Sequence, residues 1–324
     1  MRLKQTSGIR RVLAATVAVM LLWSFPVLAV SQTEEMTKPA ARELTVRTYR
    51  NVPYRASFLS ADGKNEDLTY TIVKAPKRGT VTVEGAEFLY IPAENKTGRD
   101  SFTYTATDAA GNVAEEGKVS VVIEKPKRGV EYSDMENSPA LAAAIQLAEK
   151  GIFTGLQIGE KYYFEPEHVV SRSEFLAMTM EMAGMKAPPV TMTGFCDDDA
   201  IPVWAKAYAA SGLGNGVVQG RVTAEGIAFG GGEPITFNQA AAILDRVLSV
   251  SNVDLAVWYA DRDAVPSWAA QAVANMESLC VMSVGSFGSG TLNTCVTRAD
   301  AARLLCNAAA LLEGKGGELP SWLS

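Results

Sequence analysis

The sequence predicts a multidomain chain, an all-β sandwich followed by an all-α region of three tandem repeats. Three observations carry this. Between residues 43 and 124, short runs rich in β-branched and aromatic residues alternate at period two and are separated by turn residues. After residue 130, a phrase of an aromatic, one spacer and an aspartate recurs as Tyr132-Ser133-Asp134, Phe195-Cys196-Asp197 and Tyr259-Ala260-Asp261. Each phrase is followed by a helix-start signal, at Val170-Ser171-Arg172-Ser173-Glu174, Ile235-Thr236-Phe237-Asn238-Gln239 and Val296-Thr297-Arg298-Ala299-Asp300. The aspartates lie 63 and 64 residues apart, from 134 to 197 to 261, so one supersecondary unit is stacked on copies of itself.

Arg2, Lys4, Arg10 and Arg11 precede a mostly apolar run from Val12 to Val30, and Val27-Leu28-Ala29 offers small residues for cleavage after Ala29. This reads as a signal peptide over 1–29. The alternative is an uncleaved membrane anchor, since the run approaches spanning length; Pro26 and the cleavage-like triplet favour removal, which leaves no membrane segment. A polar spacer, 30–42, follows.

Strands are expected at 68–73, 79–83, 87–91, 101–107 and 118–123, with turns at Asp62-Gly63, Lys77-Arg78-Gly79 and Ala110-Gly111-Asn112. About seven strands in some 80 residues make a β-sandwich over 43–124. Asp62, Asp67, Asp100 and Asp108 could suggest calcium but are expected to cap turns, so no metal or cofactor is assigned. Residues 124–130 form a charged Pro/Gly joint.

Each repeat then reads as a helix, a glycine-containing turn, a loop and a second helix, over 131–187, 193–250 and 257–312, with a tail at 313–324. Ser171 with Glu174 and Thr236 with Gln239 fit the capping box, Thr297 with Asp300 is a shorter-armed version, and Val170 with Phe175 fits the hydrophobic staple. The first helical residue is Arg172, Phe237 or Arg298. An arginine there opposes the helix dipole, so helix stability disfavours it slightly. A guanidinium beside exposed backbone N–H groups would instead suit a carboxylate or phosphate. A salt bridge to Asp134 or Asp261 explains the same residue, and the two readings stay open on residues alone.

Composition excludes several function classes. The net charge of −6 argues against holding nucleic acid by broad phosphate neutralisation. A single histidine, His168, rules out His-based triads and multi-His metal sites within one chain. Asp197-Asp198-Asp199 is the dense acidic cluster that a glycan hydrolase could use. It falls where a loop and helix cap are expected, so the chain is read as non-enzymatic. Cys196, Cys280, Cys295 and Cys306 match no zinc spacing and are expected to be mostly free and buried, with Cys280–Cys295 the pairing to examine.

Two resemblances add to this. Leu68-Thr69-Tyr70 through Ala75-Pro76-Lys77-Arg78-Gly79-Thr80-Val81, with Asp100-Ser101-Phe102-Thr103-Tyr104 through Asp108-Ala109-Ala110-Gly111-Asn112, resembles bacterial immunoglobulin-like, cadherin-like surface modules. The three repeats resemble S-layer homology domains, whose units open with aromatic-x-Asp, continue through Trp-Ala and Gly-Ile-x-x-Gly, and close with Thr-Arg-Ala-Glu. That resemblance implies a pseudo-threefold trefoil that binds secondary cell-wall polysaccharide, often pyruvylated, between repeats. By position it implies ligand roles for Arg172, Arg298, Asp134, Asp197, Asp261, Trp204, Trp268, Gly155 and Gly220. The arginines would contact a carboxylate, the glycines would let a ligand approach the backbone, and the tryptophans would wedge the repeats or stack on a sugar, wedging being favoured. Repeat 1 lacks the tryptophan, repeat 2 has Phe237 for the arginine, and repeat 3 has Leu279-Cys280-Val281-Met282-Ser283-Val284-Gly285 at the glycine turn. At most two working grooves are expected. The implied protein is secreted, sits at the cell surface on wall polysaccharide without a covalent sorting signal, and carries its sandwich outward as a spacer or partner-binding module.

Overall fold

The computed structural model describes residues 41–58, 68–255, 265–282 and 290–314. The expected signal peptide, nearly all of the spacer, Asp62, Asp67, Asp261, Ser283 to Gly285 and most of the tail lie outside these residues. Among the described residues no helix is long and apolar enough to cross a membrane.

Among the described residues, seven strands form the first part: β1 (Leu44–Tyr49), β2 (Tyr54–Ser57), β3 (Thr69–Lys74), β4 (Gly79–Glu84), β5 (Glu87–Pro92), β6 (Gly98–Thr107) and β7 (Gly117–Glu124). They make two facing sheets, β1-β7-β6-β3 and β2-β5-β4, with β1 parallel to β7 and the other pairs antiparallel. Alternation along β6 and β7 turns Phe102, Tyr104, Val119, Val121 and Ile123 inward, where they meet Phe58, Tyr70, Phe88 and Tyr90. Phe58 stacks on Tyr70 at 4.6 Å between ring centres and tilts against Tyr104 at 4.5 Å. The expected turn role holds for Asp100, which accepts from Lys77 N, Arg78 N, the Tyr90 hydroxyl and Ser101 N at 2.7–2.9 Å. Burial pushes its carboxyl up, but these bonds outweigh it and hold the group below its ordinary value. Asp108 likewise accepts from the backbone and side chain of Asn112.

The second part contains α1 (Leu141–Lys150), hairpin β8–β9 (Leu156–Ile158, Lys161–Tyr163) and α2 (Arg172–Met182) in the first repeat. The second repeat has α3 (Val203–Gly214), hairpin β10–β11 (Arg221–Thr223, Gly226–Ala228) and α4 (Phe237–Leu248), and the third has α5 (Ala270–Ser278) and α6 (Arg298–Gly314). The region is therefore not all-α. Each hairpin strand is three residues long, too short for a period-two pattern to show in the sequence. Both expected capping boxes form, at Ser171/Glu174 and Thr236/Gln239. The shorter-armed pair closes too, with Thr297 N on Asp300 Oδ2 at 3.0 Å and Asp300 N on Thr297 Oγ1 at 3.2 Å.

The three repeats are joined in a cycle by backbone hydrogen bonds. Val170 N donates to Val296 O at 2.9 Å, Val296 N to Ile235 O at 2.8 Å, and Ile235 N to Val170 O at 3.0 Å. A second cycle runs outside it, from Arg172 N to Glu233 O, Phe237 N to Thr294 O and Arg298 N to His168 O. Val170, Ile235 and Val296 are buried in one apolar core with Phe175, Leu176, Leu244 and Leu305.

The sandwich does not hang on a free joint. Lys127 N and Arg128 N both donate to Glu149 Oε1 of α1, at 3.0 and 2.7 Å. Tyr49 and Val52 bury themselves against Ala142 and Ile145 of the same helix. Arg47 bridges Glu124 at 3.0 Å and Glu313 of α6 at 3.2 Å, and Lys150 meets Glu313 at 2.6 Å. The charged Pro/Gly joint is thus tied down, and the sandwich is seated on α1 and α6.

Candidate functional site

The helix N-termini must first be accounted for, because a free set of N–H groups there would itself hold an anion. They are not free. Arg172 N donates to Glu233 O and Ser173 N to Gly231 O, while Glu174 N is taken by the Ser171 cap. In α6, Arg298 N donates to His168 O, Ala299 N to Pro166 O and Asp300 N to Thr297. The loop of one repeat thus uses up the first donors of the helix in another. Any anion recognition here falls to the guanidinium groups rather than to the helix ends, which corrects the expectation of exposed backbone donors.

The two arginines occupy equivalent positions in unlike surroundings. Arg298 is engaged from within the chain: its Nη1 pairs with Glu165 and donates to Phe164 O at 3.3 Å, and the guanidinium lies over the Phe153 ring at 5.2 Å. Its side chain is 12% exposed. Arg172 lies where repeats 1 and 2 meet. Its Nε is buried without a hydrogen-bond partner, and among the described residues its side chain forms no ion pair. Glu233, the carboxylate whose charge acts on it, is committed to Arg221 at 2.8 and 3.4 Å. Burial pushes the Arg172 guanidinium below its ordinary value, with Glu233 opposing and Arg221 adding to the push. Next to it, Ser173 Oγ is also buried and unpaired. A cation and a hydroxyl with unused, desolvated donors are suited to an incoming acceptor. Neither arginine pairs with Asp134, the salt bridge considered from the sequence.

Asp134 accepts from Phe164 N at 2.9 Å and Glu165 N at 2.7 Å, and Asp197 accepts from Phe229 N at 2.7 Å and Gly230 N at 2.8 Å. Asp134 and Asp197 therefore each tie down the loop that their own repeat offers to a neighbour. Gly155 (φ +76°) and Gly220 (φ +73°) lie against their own hairpins: a Cβ would meet Tyr163 O at 2.3 Å or Ile227 Cγ2 at 2.6 Å. The space expected for a ligand near these glycines is filled by the chain itself. Trp204 and Trp268 are 51% and 59% exposed, so neither wedges the repeats. Phe237 takes the arginine position of repeat 2 and packs on the apolar core.

Arg221, Glu233 and Glu165 were not singled out in the sequence. Nothing local marks them, because the partner of Glu165 lies 133 residues away. In the acidic cluster, Asp198 pairs with Lys206 at 2.5 Å and with Thr193, so Asp197 and Asp198 both serve structural contacts. Among the described residues no group of His, Cys, Asp and Glu could hold a metal ion. All four cysteines are free; Cys196 and Cys295 are exposed rather than buried, and Cys280 and Cys295 are not bridged.

Comparison with known proteins bears on the first part of the chain. No curated protein matches the sequence. Among solved structures, the chain is similar to fibronectin(III)-like modules of Clostridium thermocellum CbhA (12% identity, covering 28% of this chain and 98% of that one, TM-score 0.18). It is similar to the SrpA adhesin of Streptococcus sanguinis (16% identity, covering 36% and 79%, TM-score 0.19). It also matches the endo-fucoidan hydrolase MfFcnA4 of glycoside hydrolase family 107 (12% identity, TM-score 0.22), covering 30% of this chain and only 15% of that enzyme. Likenesses this slight add nothing to the sheet topology already described. A family model for the bacterial Ig domain matches residues 36–122, spanning β1 to the greater part of β7. That segment is a bacterial Ig-like domain.

Proposed function

We propose that residues 131–312 are three S-layer homology units forming a pseudo-threefold trefoil. In this reading they anchor an exported, non-enzymatic protein noncovalently to anionic, pyruvylated wall polysaccharide. The observation that carries the reading is the Arg172 guanidinium, half-buried between two repeats with a buried Nε and no carboxylate of its own. A buried guanidinium N–H with no acceptor is costly to keep, which favours an acceptor supplied from outside the fold. The two cycles of backbone bonds support the pseudo-threefold arrangement. The acidic net charge is compatible with it, since a glycan site needs a few placed groups rather than a basic field.

The test is cosedimentation of the mature chain with purified cell walls, before and after chemical removal of the non-peptidoglycan glycan. Wild type is expected to bind only walls that retain the glycan, and Arg172→Ala to lose most of that binding. Equal binding to both wall preparations, unaffected by Arg172→Ala, would overturn the anchoring reading. A second reading, favoured by the bacterial Ig match over 36–122, makes the sandwich a partner-binding module for which the repeats are a tether. Its seat on α1 and α6 means that a partner would meet the outer strands, such as β3 and β4, rather than β1.

A further inference from the structure

The loops that receive the two arginines can be aligned atom by atom without reference to sequence similarity. Asp134 holds the N–H groups of residues 164 and 165, and Asp197 holds those of 229 and 230. His168 N donates to Glu165 O as Glu233 N does to Gly230 O, and the carbonyls of His168 and Glu233 receive Arg298 N and Arg172 N. Glu165 and Gly230 are therefore the same position in two copies. Both are left-handed, with φ of +55° and +67°. Glycine adopts that conformation freely, whereas a glutamate there is strained and uncommon.

The side chain that this strained position carries is the one that fills the Arg298 site. Glu165 ion-pairs with Arg298, while Gly230 has no side chain to offer Arg172. The aromatic that completes the Arg298 site differs as well, since Phe153 lies two residues before Gly155 and Val218 two residues before Gly220.

We propose that Glu165 is an internal carboxylate that occupies the Arg298 site in place of a ligand, so that the chain has one open carboxylate site, at Arg172. This rests on the anchoring reading for the identity of the ligand but not for the plug itself. Repeat 2 loses its arginine to Phe237, and the repeat 3 arginine is satisfied from within. Glu165 then decides valency: a glycine at 165 would free Arg298 in the way that Gly230 leaves Arg172 free.

Glu165→Gly is a safe substitution to test this, because glycine relieves a left-handed residue and leaves the backbone bonds of Asp134 in place. Two readouts are used on the mature chain. The first is titration calorimetry with a methyl hexoside bearing a pyruvate ketal. Wild type should take one equivalent, Arg172→Ala none, Glu165→Gly two, and Glu165→Gly/Arg298→Ala one. The second is phenylglyoxal modification mapped by mass spectrometry, in which Arg298 should be protected in wild type and modified in Glu165→Gly. One equivalent in Glu165→Gly together with unchanged protection of Arg298 would overturn the proposal. If neither walls nor the ketal bind any variant but Arg298 still becomes reactive in Glu165→Gly, the anchoring reading falls and the plug stands.

Discussion

Replacing Asp134 by alanine separates two roles that the sequence left together, ligand contact and loop support. In the structure both carboxylate oxygens of Asp134 accept backbone N–H groups, at 2.9 and 2.7 Å, and these belong to the loop that receives Arg298. A hydrogen bond to a charged acceptor contributes about 1.5–3 kcal/mol net, and half-burial of this carboxylate argues for the lower end of that range. Loss of both bonds should therefore cost about 3 kcal/mol. For a region of roughly 180 residues, at about 2–4 °C per kcal/mol, the melting temperature should fall by roughly 6–12 °C. Differential scanning calorimetry measures this directly, and Asp197→Ala should behave alike because its bonds to Phe229 N and Gly230 N are equivalent. Under the anchoring proposal, any accompanying loss of wall binding should be recovered on cooling well below the new transition. An unchanged melting temperature with lost binding would refute the reasoning and make the aspartate a ligand contact.

Other outcomes follow from the same structure. Lys206 and the two bonds from Thr193 hold the Asp198 carboxyl down from 3.8 to about 2. Since the folded value is depressed, its contribution is present above pH about 4 and is lost as pH falls toward about 2. Wild type and Asp198→Asn should thus differ in stability at about pH 5 and converge near pH 2 in acid titrations followed by circular dichroism. Burial pushes the Cys306 thiol up to about 12, while Cys196 and Cys295 are exposed. Ellman's reagent should modify Cys196 and Cys295 in the native chain and reach Cys306 only after denaturation; prompt reaction of Cys306 would contradict the packing of α6 on α1.

Legibility in the sequence followed the range of the physics. The helix starts were readable because a capping box is settled within four residues, and Ser171/Glu174 and Thr236/Gln239 close as expected. The longer strands β3 to β7 were readable because their alternation runs for six residues or more. The four residues of β2 and the three-residue strands of β8 to β11 fell below that resolution. Both arginines begin a helix, as their start signals suggest, yet their inequality was not visible. It depends on Glu165 in one loop and Gly230 in another, brought to Arg298 and Arg172 by the cyclic contacts. The tryptophans were misread for a similar reason. Large aromatics are usually well buried, and nothing within a few residues of Trp204 or Trp268 says that the neighbouring repeat leaves that face uncovered.

The closed cycles of backbone bonds also bear on how such a chain can change over time. In an open stack of repeats, each end keeps one face unmatched, so units can be added or lost with roughly additive effects. Here Val170, Ile235 and Val296 each give one bond and receive one, and no repeat is terminal. Removing a unit would strand a donor in one neighbour and an acceptor in the other, and a fourth unit would find no open edge to join. Copy number is fixed by closure, which leaves substitution within a loop as the route by which one junction between repeats can become different from the next.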